Sequence, residues 1–121
     1  MKLWLFIGLL YSSLFAQNIP DDEKFILVYT QMEHCPWCHK MNRETIDNPL
    51  YKSQYGTRYI LAKITRESGD IPSFLEPTYF PTTYILSPDG SKILDELPGY
   101  MPSKRYVEYL QDLYEVETEV E

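Results

Sequence analysis

The chain's two cysteines, Cys35 and Cys38, stand three positions apart in the stretch HCPWCHKM, and they limit what the chain can fold into. A small exported fold that depends on disulfides usually has four or more cysteines. In the chain-entropy model, a bridge across a four-residue loop stabilises a fold by about 2 kcal/mol, against about 4.7 kcal/mol for a 100-residue loop. Stability must therefore come from an apolar core, for which 121 residues with 44% hydrophobic content are sufficient.

The first 16 residues have the pattern of a secretory signal peptide. Lys2 precedes an apolar run from Leu3 to about Leu10, and the small residues Ser12, Ser13 and Ala16 follow. This run is shorter than the roughly 18–20 apolar residues that a membrane-spanning helix needs. We predict cleavage after Ala16 and a periplasmic or otherwise exported domain over residues 17–121, with an uncleaved, membrane-tethered form as the alternative.

The charge of the chain argues against a nucleic-acid partner. The formal net charge is −7, and Lys and Arg form no cluster in the sequence. A nucleic-acid-binding surface needs a basic patch, so we expect no nucleic-acid partner. No heptad repeat stands out either, and we expect a monomer.

The chain after the leader reads as strand, helix and strand. A nearly continuous apolar run at 24–31 predicts a strand buried on both faces. A helical stretch starts at Pro36, since proline is well tolerated at the first helical position. Asp47 or Asn48 can cap a second helical segment, and a second strand follows at 57–65.

The second half of the chain reads as hairpin and helix. Two β-rich runs within 79–97 flank the turn sequence SPDG, and a helix starts at Pro102 or Ser103. We expect residues 115–121, EVETEVE, to be a frayed tail. The whole order predicts one α/β domain with a central mixed sheet flanked by helices, and it places the cysteines where the first strand meets its helix.

Three interpretations of the cysteine pair are open. A purely structural bridge would be better placed across the fold, because its loop is so short. Metal binding is the second interpretation, since six plausible ligands lie within ten residues. Structural zinc, however, usually needs a second pair of ligands, and no other Cys or His exists in the chain. Two thiolates could still hold Cu(I) with help from a nearby side chain. The plausible metal ligands are Met32, His34, Cys35, Cys38, His39 and Met41.

Redox exchange is the third interpretation, and the spacing favours it. A Cys-x-x-Cys beside a strand–helix–strand pattern is typical of a redox-active disulfide. Cys35 would lie at the helix N-terminus, where free N–H groups and the helix dipole favour a thiolate. We predict Cys35 as the exposed nucleophile and Cys38 as the thiol that resolves a mixed disulfide, with no cofactor besides this pair and no metal.

Three stretches together resemble the thioredoxin-like superfamily, most closely its small exported thioredoxin-related proteins. KFILVYTQMEHCPWCHKMNRETIDNP carries the cysteine pair, YFPTTYILSPDGSKI is similar to the segment with a cis-proline before a strand and hairpin, and LPGYMPSKRYVEYL is similar to the closing Gly-Tyr and helix. The resemblance covers about residues 24–114. It implies a thioredoxin-like fold and a thiol–disulfide oxidoreductase.

The resemblance also implies roles for single residues. Pro81 is the cis-proline packed against the redox pair, and Phe80 is the residue whose backbone pairs with a bound substrate chain. The spacer residues Pro36 and Trp37 tune the redox potential, and Trp37 either contacts substrate or simply packs.

Two residues depart from the pattern of thioredoxin itself. Tyr29 stands where thioredoxin has a buried acidic residue, which leaves the proton acceptor for Cys38 open. His34 stands where thioredoxin has a tryptophan, and it is either a charge that tunes Cys35 or a solvated surface residue.

The direction of electron flow is not determined by the motif. The resemblance implies a reductase that receives electrons from a membrane thiol carrier and reduces disulfides in exported proteins, such as those formed by the thiols of apocytochromes. A disulfide-forming oxidase is the alternative, and a Cu(I)-binding module on the same fold is the alternative of another class.

Overall fold

Four strands form one mixed sheet in the order β2-β1-β3-β4. The strands are β1 (Phe25–Gln31), β2 (Tyr59–Thr65), β3 (Thr82–Leu86) and β4 (Ile93–Pro98). β1 and β2 run parallel, whereas β3 is antiparallel to both β1 and β4. The structure, a computed structural model, describes residues 19–119, and the predicted signal peptide lies outside these residues.

Three α-helices accompany the sheet in the part of the chain that the structure describes. They are α1 (Pro36–Met41), which continues into a π-helical turn (Asn42–Ile46), α2 (Pro49–Tyr55) and α3 (Ser103–Glu119). The Asn48 side chain caps α2 by accepting the backbone N–H of Leu50 at 3.0 Å, which confirms one of the two predicted caps. Within residues 19–119, none of the helices has the length and apolar character needed to cross a membrane.

The C-terminal helix extends further than the sequence predicted. A frayed tail was expected from residue 115, but α3 continues to Glu119. Tyr114 anchors this part of the helix, because its ring lies 5.1 Å from that of Phe25 and the Arg58 guanidinium lies 4.9 Å from its centroid. Glu115 and Glu119 in the last turns are exposed.

The apolar core is divided between the two faces of the sheet. β1 lies between β2 and β3 and contributes buried residues to both faces, which confirms the prediction from its continuous apolar run. The helices cover one face, and the connection over 66–81 brings Leu75 onto the other. The helix-covered cluster contains Phe25, Leu27, Tyr29, Met41, Ile46, Tyr55, Tyr59, Ile85, Leu97, Tyr106 and Leu110.

Tyrosines give this core an unusual polar content. Tyr55 donates to the carbonyl of Ile46 at 2.8 Å, and the hydroxyls of Tyr106 and Thr83 lie 3.0 Å apart. Burial raises the pKa of Tyr55 to about 12, and burial also raises the pKa of Tyr106 far above its ordinary range. Each hydroxyl is therefore buried in its neutral form with a hydrogen-bond partner, as burial of a polar group requires.

The buried tyrosines predict that the fold loses stability in alkali. An unfolded tyrosine releases its proton near the ordinary pKa of 10, whereas folded Tyr106 retains it, so the folded state binds more protons above that pH. The contribution of Tyr106 to the free energy of unfolding is fully present below pH 10. Above it, the free energy of unfolding should fall by about 1.4 kcal/mol per pH unit for Tyr106 alone, which urea unfolding at several pH values will measure.

Two variants serve as tests of this slope. Tyr106→Phe should make the alkaline decline shallower by the same amount, because it removes the titrating group. Tyr79→Phe should leave the slope unchanged, since the Tyr79 side chain is largely exposed. An identical slope in wild type and Tyr106→Phe would contradict the assignment.

Candidate active site at the N-terminus of α1

Cys35 and Cys38 form a disulfide across the first turn of α1, with their Cα atoms 5.2 Å apart. Cys35 is the N-cap residue, and its Sγ accepts the backbone N–H of Cys38 at 3.2 Å. Pro36 occupies the first helical position, where its missing N–H removes no helical hydrogen bond. After reduction, the N–H of Cys38 would stabilise negative charge on the Cys35 sulfur.

The loop before β3 lies directly against this disulfide. The peptide bond between Phe80 and Pro81 is cis, the geometry that the family resemblance implied. The carbonyl oxygen of Phe80 lies 3.7 Å from Cys35 Sγ, within reach of the S–H of a reduced Cys35. The Pro81 carbonyl in turn accepts the N–H of Gly99 at 2.7 Å, which ties the loop to the end of β4.

The predicted exposure of Cys35 is wrong for the oxidised protein. Only 3% of Cys35 is exposed, and Cys38 is fully buried. The physical reason is that the disulfide directs Sγ of Cys35 towards Cys38, while the Phe80 carbonyl lies against the same sulfur. The adjoining residues His34 and Pro36 are exposed, so the pair lies just beneath the surface.

The two histidines lie at the surface beside the pair. His34 precedes Cys35 and adopts a left-handed backbone with φ of 55°, which is uncommon for a residue with a side chain. His39 is exposed on α1. Within residues 19–119, no three His, Cys, Asp or Glu side chains come together as a group that could hold a metal ion.

An aromatic groove opens next to the redox pair. Trp37 is 56% exposed, and the centroid of its ring lies 5.2 Å from that of Tyr100. The ammonium of Lys40 lies 5.3 Å and 4.9 Å from the centroids of Trp37 and Tyr100. The groove has a volume of about 560 Å³ and is lined by Trp37, Tyr79, Phe80, Pro98, Gly99 and Tyr100.

Three members of this groove region were missed from the sequence. Tyr79, Lys40 and Tyr100 come from separate parts of the chain, and no spacing pattern links them. The Gly-Tyr of the third resembling stretch was the only signal for Tyr100. In the structure, Tyr100 is held in place because its hydroxyl donates to the Glu44 carboxylate.

Tyr29 lies beneath the redox pair, at the position where thioredoxin has a buried acidic residue. Its side chain is fully buried, and its hydroxyl donates to the carbonyl of Cys38 at 3.3 Å. Burial is the main reason why the pKa of Tyr29 lies far above its ordinary range, with a smaller contribution from the charge of Asp47. A phenol that stays protonated is a hydrogen-bond donor here and does not accept a proton from Cys38.

Comparison with known proteins agrees with this geometry. Residues 14–114 match the family model of a thioredoxin-like domain, whereas no curated protein is similar enough in sequence to match. The solved structure of the DsbH oxidoreductase shares 17% identity and a TM-score of 0.65, covering 78% of this chain and 74% of that one. A thioredoxin from Thermus thermophilus shares 22% identity, covering 74% and 73% of the two chains with a TM-score of 0.55.

A third similar structure comes from an exported protein. The periplasmic thioredoxin SoxS from Paracoccus pantotrophus shares 18% identity and a TM-score of 0.58, covering 75% of this chain and 96% of that one. At these identities the three structures establish the likeness of fold, and the family match covers both cysteines and Pro81. The chain belongs to the thioredoxin-like domain family, and its Cys35–Cys38 pair makes it a thiol–disulfide oxidoreductase.

Proposed function

We propose that the protein works outside the cytosol and reduces disulfide bonds in exported client proteins. The observation that carries the proposal is the Cys35–Cys38 disulfide set 3.7 Å from the Phe80 carbonyl, at the edge of an open groove. The signal-like sequence of residues 1–16 and the likeness to a periplasmic thioredoxin support the location.

The proposed reaction is a two-step thiol exchange. The thiolate of Cys35 attacks one sulfur of a client disulfide, forms a mixed disulfide and releases the other client sulfur as a thiolate. Cys38 then loses its proton, attacks Cys35 and frees the second client sulfur. The client gains two electrons, its two sulfurs take up the proton released by Cys38 and the one that Cys35 gave to solvent on ionising, and the enzyme ends with the Cys35–Cys38 disulfide.

The surroundings of Cys35 favour the reducing direction. A strongly oxidising disulfide requires a reduced form that is strongly stabilised. In the oxidised protein, the N–H of Cys38 is the one hydrogen-bond donor to Cys35 Sγ among residues 19–119. This modest stabilisation fits a reductase better than an oxidase.

The client chain would bind along the loop that precedes β3. In this proposal Phe80 offers its backbone to an extended client segment, and Pro81 holds that backbone against Cys35. Trp37 then forms one wall of the groove that receives an apolar side chain next to the client cysteine. Pro36, as the other spacer residue, shapes the turn that sets the redox potential.

Continued turnover needs a source of electrons. Each cycle leaves the enzyme oxidised, and two electrons must return to Cys35 and Cys38 before the next client. Compartments outside the cytosol are oxidising, so we propose a membrane protein that carries thiol electrons as the donor.

Single cysteine variants test the two roles. Cys38→Ser should accumulate mixed disulfides with client proteins, because Cys35 still attacks but no thiol resolves the product. Cys35→Ser should trap no client under the same conditions. Non-reducing electrophoresis after acid quenching will measure the adducts, and full reductase activity in either variant would refute the role assignment.

The groove should contribute to client binding rather than to the exchange step. With the disulfides of insulin as substrate, Trp37→Ala should raise KM about fivefold to tenfold and leave kcat within about twofold, because an aromatic contact of about 1–1.5 kcal/mol is lost. Phe74→Ala is the matched control, since Phe74 is similarly exposed but lies outside the groove. Equal KM changes in both variants would count against a binding role.

Tyr29 should have no acid–base role in the reaction. Tyr29→Phe removes the hydrogen bond to Cys38 but no titrating group, because the pKa of Tyr29 lies far above the working range. We expect a loss of about 0.5–1.5 kcal/mol in stability and an unchanged pH profile of insulin reduction between about pH 6 and 9. If an ionisation seen in the wild-type profile were absent from that of Tyr29→Phe, Tyr29 would exchange protons and the prediction would be wrong.

A further inference from the structure

Two adjacent residues after β2, Arg66 and Glu67, contact both loops that carry the redox site. One carboxylate oxygen of Glu67 accepts the backbone N–H of Glu33 at 2.9 Å. The other oxygen pairs with the Arg66 guanidinium at 2.7 Å. That guanidinium lies 5.7 Å from the centroid of the Phe80 ring. The pair therefore bridges from the segment before Cys35 to the segment before Pro81.

The segment before Cys35 needs such support. Met32, Glu33 and His34 link the end of β1 to the first residue of the redox pair, and His34 has the left-handed φ of 55°. A residue with a Cβ persists in that region when its surroundings hold it there. Within the described part of the chain, Glu67 provides the one hydrogen bond from a side chain to the backbone of this link.

The hydrogen bond, rather than the ion pair, distinguishes Glu67 from an ordinary surface carboxylate. Arg66 and Glu67 are adjacent and partly exposed, and such pairs contribute little by themselves. The pKa of Glu67 is lowered chiefly by the N–H of Glu33, and Arg66 contributes less. The carboxylate is thus directed at the backbone of the link.

We propose that Glu67 is a positioning residue, which fixes the Glu33–His34 link and so delivers Cys35 to the N-terminus of α1 in reactive geometry. The proposal deepens the proposed function and rests on it. Arg66 completes the arrangement by orienting the carboxylate and packing on Phe80, whose carbonyl lies next to Cys35 Sγ. Displacement of a reacting atom by a loosened link lowers the rate without removing any reacting group.

Substitutions at Glu67 separate positioning from charge. Glu67→Ala removes the acceptor, and we expect the second-order rate of Cys35 alkylation by iodoacetamide in the reduced protein to fall about tenfold at pH 7, because Cys35 Sγ is then no longer held against the N–H of Cys38 that stabilises its thiolate. The kcat/KM for insulin should fall to a similar extent. Glu67→Gln keeps an oxygen that can accept the same N–H but loses the charge, and both rates should stay within about twofold of wild type.

The control is Glu76→Ala, which removes an exposed carboxylate from the same connection without touching the link. Equal reactivity of Glu67→Ala and wild type would overturn the proposal. So would a Glu67→Gln variant as slow as Glu67→Ala, since charge would then be the cause. A Glu67→Ala variant with a lowered melting temperature and normal Cys35 alkylation would show a purely structural role and would also overturn it.

This experiment stands apart from the test of the proposed function. Alkylation of Cys35 needs no client, so it reports on Glu67 even if the wild-type protein fails to reduce insulin. That failure would count against the reductase proposal alone. Normal insulin reduction by wild type and Glu67→Ala, with equal alkylation rates, would remove the positioning role and leave the reductase intact.

Discussion

The antiparallel pairing of β1 with β3 is the constraint on which the site depends. Thr30 lies opposite Thr82 in the register, and the Thr30 hydroxyl also donates to the Thr82 carbonyl at 2.8 Å. Both threonines are almost fully buried. Because the strands run in opposite directions, the end of β1 and the start of β3 meet at one edge of the sheet. The residues that follow β1 and those that precede β3 are therefore neighbours, although Cys35 and Phe80 are 45 positions apart.

At that edge a reactive disulfide lies above a buried phenol. Tyr29 stands where thioredoxin has a buried acidic residue, and its hydroxyl donates to the carbonyl of Cys38. Asp47, whose charge contributes to the raised pKa of Tyr29, pairs with Lys63 at 2.9 Å in a partly exposed position. Because Tyr29 is neutral, it cannot accept the proton that Cys38 releases.

Much of this architecture could be predicted from the sequence because its signals are local. The apolar run of β1, the proline at the start of α1, the Asn48 cap and the SPDG turn each lie within a few residues. The cis geometry at Pro81 was expected from family resemblance, since proline statistics alone would have favoured trans. What escaped prediction depends on contacts between distant segments. Glu67 and Glu33 are 34 positions apart, Tyr100 and Glu44 are 56 apart, and neither pair leaves a periodic trace in the sequence.

The reduction potential of the Cys35–Cys38 pair, measured by equilibration of the purified protein with dithiothreitol or glutathione buffers, tests the central claim most directly. A reductase should have a potential close to that of thioredoxin, about −270 mV, with two electrons per disulfide. A potential near −120 mV would identify a strong oxidant and contradict the proposed direction. A pair that stays oxidised in every buffer would contradict the exchange chemistry itself.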